Sequence, residues 1–83
     1  MALPADLGFA TVPDALRQSE ALTAGGTLDL SAVARADSAG IALLLELSRR
    51  AQARGKTLIY TGTNAQVRAL IGFFGVADIL RLA

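Results

Sequence analysis

The chain changes character at Asp37-Ser38-Ala39-Gly40, four residues that separate two patterned segments. Before them, Thr27-Leu28-Asp29-Leu30-Ser31 alternates polar and apolar side chains, which is typical of a half-buried strand. After them, residues 39–54 carry apolar side chains at helical spacing. The corner therefore presents a hydroxyl at a helix N-terminus, where free N–H groups and the helix dipole favour an anion. A serine at this position can cap the helix, contact a partner or accept a phosphate.

A second strand follows the long helix. Gly55 is suited to end the helix, and Lys56 to Thr61 is rich in β-branched and aromatic residues. A strand, a helix and another strand predict two parallel, neighbouring strands joined by a right-handed crossover. The fold class is therefore α/β, with helices expected near residues 12–23, 39–54 and 64–74 and strands near 27–31 and 57–61. Residues 76–83 fit either a short helix or a final strand.

Two clear strands make a small sheet that its helices would cover poorly. Either residues 1–10 contribute a strand, or the exposed sheet edge pairs with another copy of the chain. We expect the second arrangement to give a homo-oligomer.

The composition excludes several classes of chemistry. The chain of 83 residues has no cysteine and no histidine, which removes disulfides, thiol nucleophiles, Ser-His-Asp catalysis and most transition-metal sites. Its seven acidic residues form no local cluster along the sequence. We therefore expect a protein that is not an enzyme and holds neither a metal nor a cofactor.

The charge and hydropathy of the chain bear on its partners. A net charge of +1, one Tyr and three Phe give little support to nucleic-acid binding. No run approaches the roughly 20 apolar residues of a membrane span, and residues 1–6 lack the start of a signal peptide. A cytoplasmic location is therefore expected. The 53% hydrophobic content indicates apolar surface that a partner covers.

The triplet Gly55-Lys56-Thr57 resembles the end of a phosphate-binding P-loop. That motif needs a glycine five positions earlier, where this chain has Arg50, and a helix afterwards, where a strand is predicted. The triplet is interpreted as a helix end leading into a strand.

Leu43 has two interpretations. At 100° per residue, Ile41, Leu44, Leu45 and Ser48 form one apolar stripe, and Leu43 falls to its side, towards Ala39 and Arg50. Leu43 then either packs under a neighbouring helix or belongs to a docking face with Ser38, Ala39 and flanking arginines.

Several elements in order resemble the STAS domain, the family of bacterial anti-sigma factor antagonists and of the C-terminal domain of sulfate transporters. They are Leu28-Asp29-Leu30-Ser31, then Val33, Arg35 and Ala36, and then residues 37–45. The resemblance implies a single STAS domain over residues 1–83, a small sheet packed with three to four helices. The strand pair with which the family begins is largely absent, so the domain is expected to be shortened at its N-terminus.

Within the family, Phe9 to Pro13 and residues 37–45 resemble the MlaB branch in particular. The resemblance implies a cytoplasmic subunit that binds and supports the ATPase of a phospholipid (Mla-type) ABC transporter, and that reaches the membrane through that complex. The sigma-regulatory branch implies the alternative, an anti-sigma factor antagonist that a partner kinase phosphorylates at Ser38. In either case the implied partner interface includes Asp37, Ser38, Ala39, Gly40 and Leu43.

Overall fold

A computed structural model describes residues 3–83. Within that range the chain forms five strands and four helices. In chain order these are β1 Asp6–Leu7, α1 Val12–Arg17, α2 Ser19–Thr23, β2 Thr27–Asp29, β3 Arg35–Ala36, α3 Ser38–Ala53, β4 Ile59–Thr61, α4 Ala65–Phe73 and β5 Arg81–Leu82.

The predicted strand–helix–strand unit is confirmed. β2 and β4 lie parallel and adjacent, with Leu28 opposite Tyr60, and α3 connects them through β3. Residues 76–83, which fitted two interpretations, form a turn followed by β5, which pairs with β4 in parallel. The α/β fold class and the helices predicted near residues 39–54 and 64–74 are therefore confirmed, in a STAS-like arrangement.

The N-terminal segment contributes a strand, but to a separate sheet. β1 pairs in parallel with β3, while β2, β4 and β5 form the other sheet in the order β2-β4-β5. β2 is therefore an edge strand of the three-stranded sheet. Its side chains alternate, with Leu28 buried and Thr27 and Asp29 exposed, so one face of this sheet meets the core and the other meets solvent.

The helix predicted near residues 12–23 is interrupted. Gln18, with φ −100° and ψ 11°, departs from helical geometry and separates α1 from α2. Both helices pack against α3. A long side chain also connects them, because the Arg50 guanidinium of α3 donates to Ser19 Oγ at 2.8 Å and to the Leu16 carbonyl at 3.4 Å.

Among the buried hydrophobic side chains of residues 3–83, all are aliphatic except that of Tyr60. This side chain is fully buried, and its hydroxyl donates to the Leu44 carbonyl oxygen at 2.6 Å and lies 2.7 Å from Ser48 Oγ. Burial disfavours the phenolate and raises the pKa of Tyr60 to about 12. The tyrosine thus fixes β4 against the middle of α3.

Candidate functional site

Asp37 is the residue that caps α3. Its backbone is extended, with φ −109° and ψ −173°, and its Oδ1 accepts a hydrogen bond from the Gly40 N–H at 3.0 Å. Its Oδ2 accepts from the Phe9 N–H at 3.3 Å, which ties the loop after β1 to the same corner. The hydrogen bond from Gly40, and to a lesser degree that from Phe9, lowers the pKa of Asp37. Asp37 and Ser38 are both residue types that favour the cap position, and Asp37 is the one that occupies it.

Gly40 is required by a close backbone approach. A Cβ atom at this position would lie 2.9 Å from the carbonyl carbon of Leu7 and closer still to its oxygen. The Leu7 oxygen also accepts from the Asp37 N–H at 3.2 Å, so β1 crosses directly over the first turn of α3. The buried Gly40 therefore supports the corner from inside and is covered by the chain itself.

Ser38 is left free by this arrangement. It is the first residue of α3 and is exposed to solvent. Because Asp37 supplies the cap, the Ser38 hydroxyl takes part in no hydrogen bond within residues 3–83. Ala39 beside it is half-buried. The corner thus holds an unused hydroxyl on a firmly fixed helix end.

Leu43 does not lie on the exposed side of α3. It is only 2% exposed and belongs to the hydrophobic core. The physical reason is that α1 and α2 cover the side of α3 that Leu43 shares with Arg50, whose guanidinium contacts both helices. This corrects the docking-face interpretation of Leu43 in favour of its packing under a neighbouring helix.

Leu45 lies at the border between the core and the exposed side of α3, because it is half-buried and packs against the core. Ala42 is exposed and Leu45 is half-buried, and with Ser38 they are spaced i, i+4 and i+7 along the helix. We call these three residues the Ser38 face. The contact of Leu45 with the core agrees with its place in the predicted apolar stripe, and its spacing from Ser38 is the sequence signal that also puts it beside the exposed side of the helix.

A comparison with protein-family models decides the family. The model described as "Mlab, STAS domain" matches residues 1–82. The chain belongs to the MlaB-like STAS-domain family. A search of curated proteins found no match.

Phe9 adds an aromatic ring beside the helix corner of this STAS domain. Its side chain is 84% exposed, although its N–H is held by Asp37. An open cavity of about 400 Å³ includes Phe9, Arg35 and Asp37 in its lining. Exposed aromatic side chains are common at the centres of protein interfaces. Phe9 is therefore a candidate contact residue that sequence reasoning did not single out as part of the site.

An ion pair lies near this corner of the STAS domain, beside the ionised carboxylate of Asp37. Arg35 and Asp6 form an ion pair at 2.5 Å across the β1–β3 sheet, and the Arg35 hydrogen bond lowers the pKa of the Asp6 carboxyl. The pair is exposed, so it contributes little to stability. What remains for a partner is a hydroxyl, an apolar helix face and an aromatic ring.

Proposed function

We propose that this STAS domain is a non-enzymatic subunit that binds and supports the ATPase of a phospholipid (Mla-type) ABC transporter. The observation that carries the proposal is the Ser38 hydroxyl, which is exposed, makes no hydrogen bond to any residue between 3 and 83, and is fixed at the start of a 16-residue helix. The family to which the chain belongs, described by the name Mlab, supports the same choice.

The surface around Ser38 has the composition of a protein interface. Ala42 and Leu45 supply apolar area along α3, and Phe9 supplies an exposed ring beside its N-terminus. Interface cores are depleted of charged residues and enriched in aromatic ones. The Ser38 face with Phe9 fits this description, because none of these four residues is charged and one of them is aromatic.

The same geometry argues for binding rather than catalysis. A serine nucleophile needs an adjacent base, and the chain has no histidine. The nearest carboxylate, that of Asp37, accepts hydrogen bonds from Gly40 and Phe9, and these lower its pKa and make it a poorer base. We therefore assign Ser38 a role in recognition.

The proposed partner implies a cytoplasmic location at the inner face of the membrane. Within residues 3–83, no helix has the length and hydropathy needed to cross a bilayer. Contact with the membrane would then pass through the ATPase and its permease.

An anti-sigma factor antagonist is the second candidate. The free hydroxyl of Ser38 is accessible to a kinase, and a phosphate there would add about −1.5 to −2 charge. Near a helix N-terminus that charge is tolerated within the domain, whereas at an apolar interface it would repel or desolvate a partner. The same residue therefore serves a phosphorylation switch in this alternative.

Co-purification separates the two candidates. The tagged chain should be expressed with the ATPase and permease proteins encoded in the same genome, and separately with its anti-sigma factor kinases. We expect it to retain the ATPase and to gain no phosphate. Retention of a kinase together with phosphate at Ser38, lost in Ser38→Ala, would replace the transporter proposal by the switch.

A further inference from the structure

A second polar cavity lies at the far end of α3. It has a volume of about 150 Å³ and opens between the last turns of α3, the segment that leads into β4, and the start of β5. The residues that line it include Ser48, Gln52, Lys56, Thr57, Ile79 and Arg81. Gln52 is 14 residues along the helix from Ser38, about 21 Å at 1.5 Å per residue, so this cavity is separate from the Ser38 face.

The basic residues of this cavity differ from most others in the chain. Five arginines form ion pairs with carboxylates, namely Arg17, Arg35, Arg49, Arg50 and Arg54. Within residues 3–83, neither Lys56 nor Arg81 has such a partner. Their positive charges are therefore not neutralised inside the molecule.

No carboxylate lines this cavity. Three other surface cavities each include an acidic residue, namely Asp37, Glu20 and Asp14 respectively. The cavity at Lys56 and Arg81 has two cations and no carboxylate in its lining. Its electrostatic character favours an anion, since two cations concentrated in one concave site raise the local potential.

Its hydrogen-bond donors are also available. Lys56 Nζ donates once, to the Ala24 carbonyl at 2.8 Å, which leaves two of its three protons. The side chains of Gln52, Thr57 and Arg81 make no hydrogen bond to any other residue between positions 3 and 83. A compact oxyanion with several acceptor oxygens would satisfy all four groups together.

Ser48 belongs to the wall and not to this set of donors. The Tyr60 hydroxyl donates to the Leu44 carbonyl, so Ser48 Oγ donates to Tyr60 across their 2.7 Å contact. This bond fixes the side of the cavity formed by α3. The lining residues whose side chains keep free donors are therefore Gln52, Lys56, Thr57 and Arg81.

We propose that this cavity is a binding site for a phosphoryl group, held by Lys56 and Arg81 and completed by Gln52 and Thr57. Lys56 and Thr57 are adjacent, and the parallel pairing of Ile59 with Arg81 brings Arg81 to them from β5. Ile79, which is 62% exposed beside the cavity, leaves room for an apolar group attached to the phosphate. The phosphoryl group can come from free phosphate or from a lipid headgroup.

The first experiment is a titration of the ¹⁵N-labelled chain with inorganic phosphate, followed by amide chemical shifts. We expect saturable shifts centred on residues 52, 56–57 and 79–81. Lys56→Gln and Arg81→Gln should each weaken binding about tenfold or more, as expected for loss of a charge-assisted hydrogen bond. Arg68→Gln is the control, because Arg68 is also exposed but lies outside the cavity, where it donates to Thr63 Oγ1 at 2.8 Å and to the Ala83 oxygen at 3.4 Å.

The second experiment distinguishes the sources of the phosphoryl group. Co-sedimentation uses vesicles of phosphatidylcholine with and without phosphatidylglycerol. If the chain binds the anionic vesicles, and if Arg81→Gln abolishes this binding while Arg68→Gln preserves it, the ligand is a lipid headgroup. If the chain binds phosphate but no vesicles, the ligand is free phosphate.

Three results would overturn the proposal. They are phosphate shifts that do not saturate, equal weakening by Arg68→Gln and Arg81→Gln, and unchanged affinity in both cavity variants. Circular dichroism of each variant establishes that it is folded. Since no ATPase takes part, these outcomes are independent of the proposed transporter function.

Discussion

Replacing Leu43 tests the assignment of the two sides of α3. Leu43 is 2% exposed in the core, so Leu43→Ala should remove buried methyl groups and leave a cavity, at a cost of about 2–5 kcal/mol. At roughly 0.05–0.15 kcal/mol per residue, a chain of 83 residues has a total stability of about 4–12 kcal/mol. The substitution should thus remove a large part of the stability, and Leu43→Asp, which buries an unpaired carboxylate, should unfold the domain.

Leu45→Ala provides the matched control on the same helix. Leu45 is half-buried, so its truncation should cost only about 1 kcal/mol. Urea unfolding followed by circular dichroism measures both variants. With a slope of about 1–3 kcal/mol per molar urea, Leu43→Ala should lower the midpoint by roughly 1–3 M and clearly more than Leu45→Ala. Equal shifts, or a Leu43→Asp protein that remains folded, would refute this assignment of core and surface.

Three further predictions concern capping, the core tyrosine and self-association. Asp37→Ala should lower the urea midpoint at neutral pH. The folded-state pKa of Asp37 lies below its ordinary 3.8, so the difference in urea midpoint between the parent and Asp37→Ala should disappear as the pH falls through the folded-state pKa. A difference that stays unchanged in acid would contradict the capping role. Tyr60→Phe should cost about 1 kcal/mol at neutral pH. With its folded-state pKa raised from 10.0 to about 12, Tyr60 should make the parent lose stability as the pH rises across that interval; Tyr60→Phe should lack this loss in alkaline urea titrations. Light scattering should detect dimers, because β2 is an edge strand, and a monomer at high concentration would argue against pairing at this edge.

The sequence predicted the parts of the fold that depend on local patterns. Alternation in residues 27–31 and helical spacing after Gly40 led to the parallel pair β2 and β4 joined by α3. Asp37 and Ser38 are both candidates for capping α3, because the side-chain oxygen of each can accept a hydrogen bond from a free N–H group. Local pattern could not decide between them, since the choice depends on a second hydrogen bond from Phe9, 28 positions away.

The sides of α3 required tertiary information. Helical spacing gives the angles between Leu43, Leu45 and Ser38, but it does not say which side other helices cover. That is settled by α1 and α2, which pack against the Leu43 side and leave Leu45 half-buried. The cavity at Lys56 could not be predicted from the sequence either, because Arg81 is brought to it only by the pairing of β4 with β5.

The affinity of the ATPase for the Ser38→Glu variant tests the central claim most directly. Within the isolated domain a carboxylate at a helix N-terminus is acceptable, so circular dichroism should show a folded protein. At an apolar interface the same carboxylate would be buried without a partner, at about 2–5 kcal/mol, or tens- to thousands-fold in Kd. Ala53→Glu, at an exposed position 15 residues further along the same helix and about 22 Å away, adds an equal charge and should bind like the parent. Calorimetry with the purified ATPase should therefore show weakened binding for Ser38→Glu alone. If Ser38→Glu binds as tightly as the parent protein, the Ser38 face is not the partner interface.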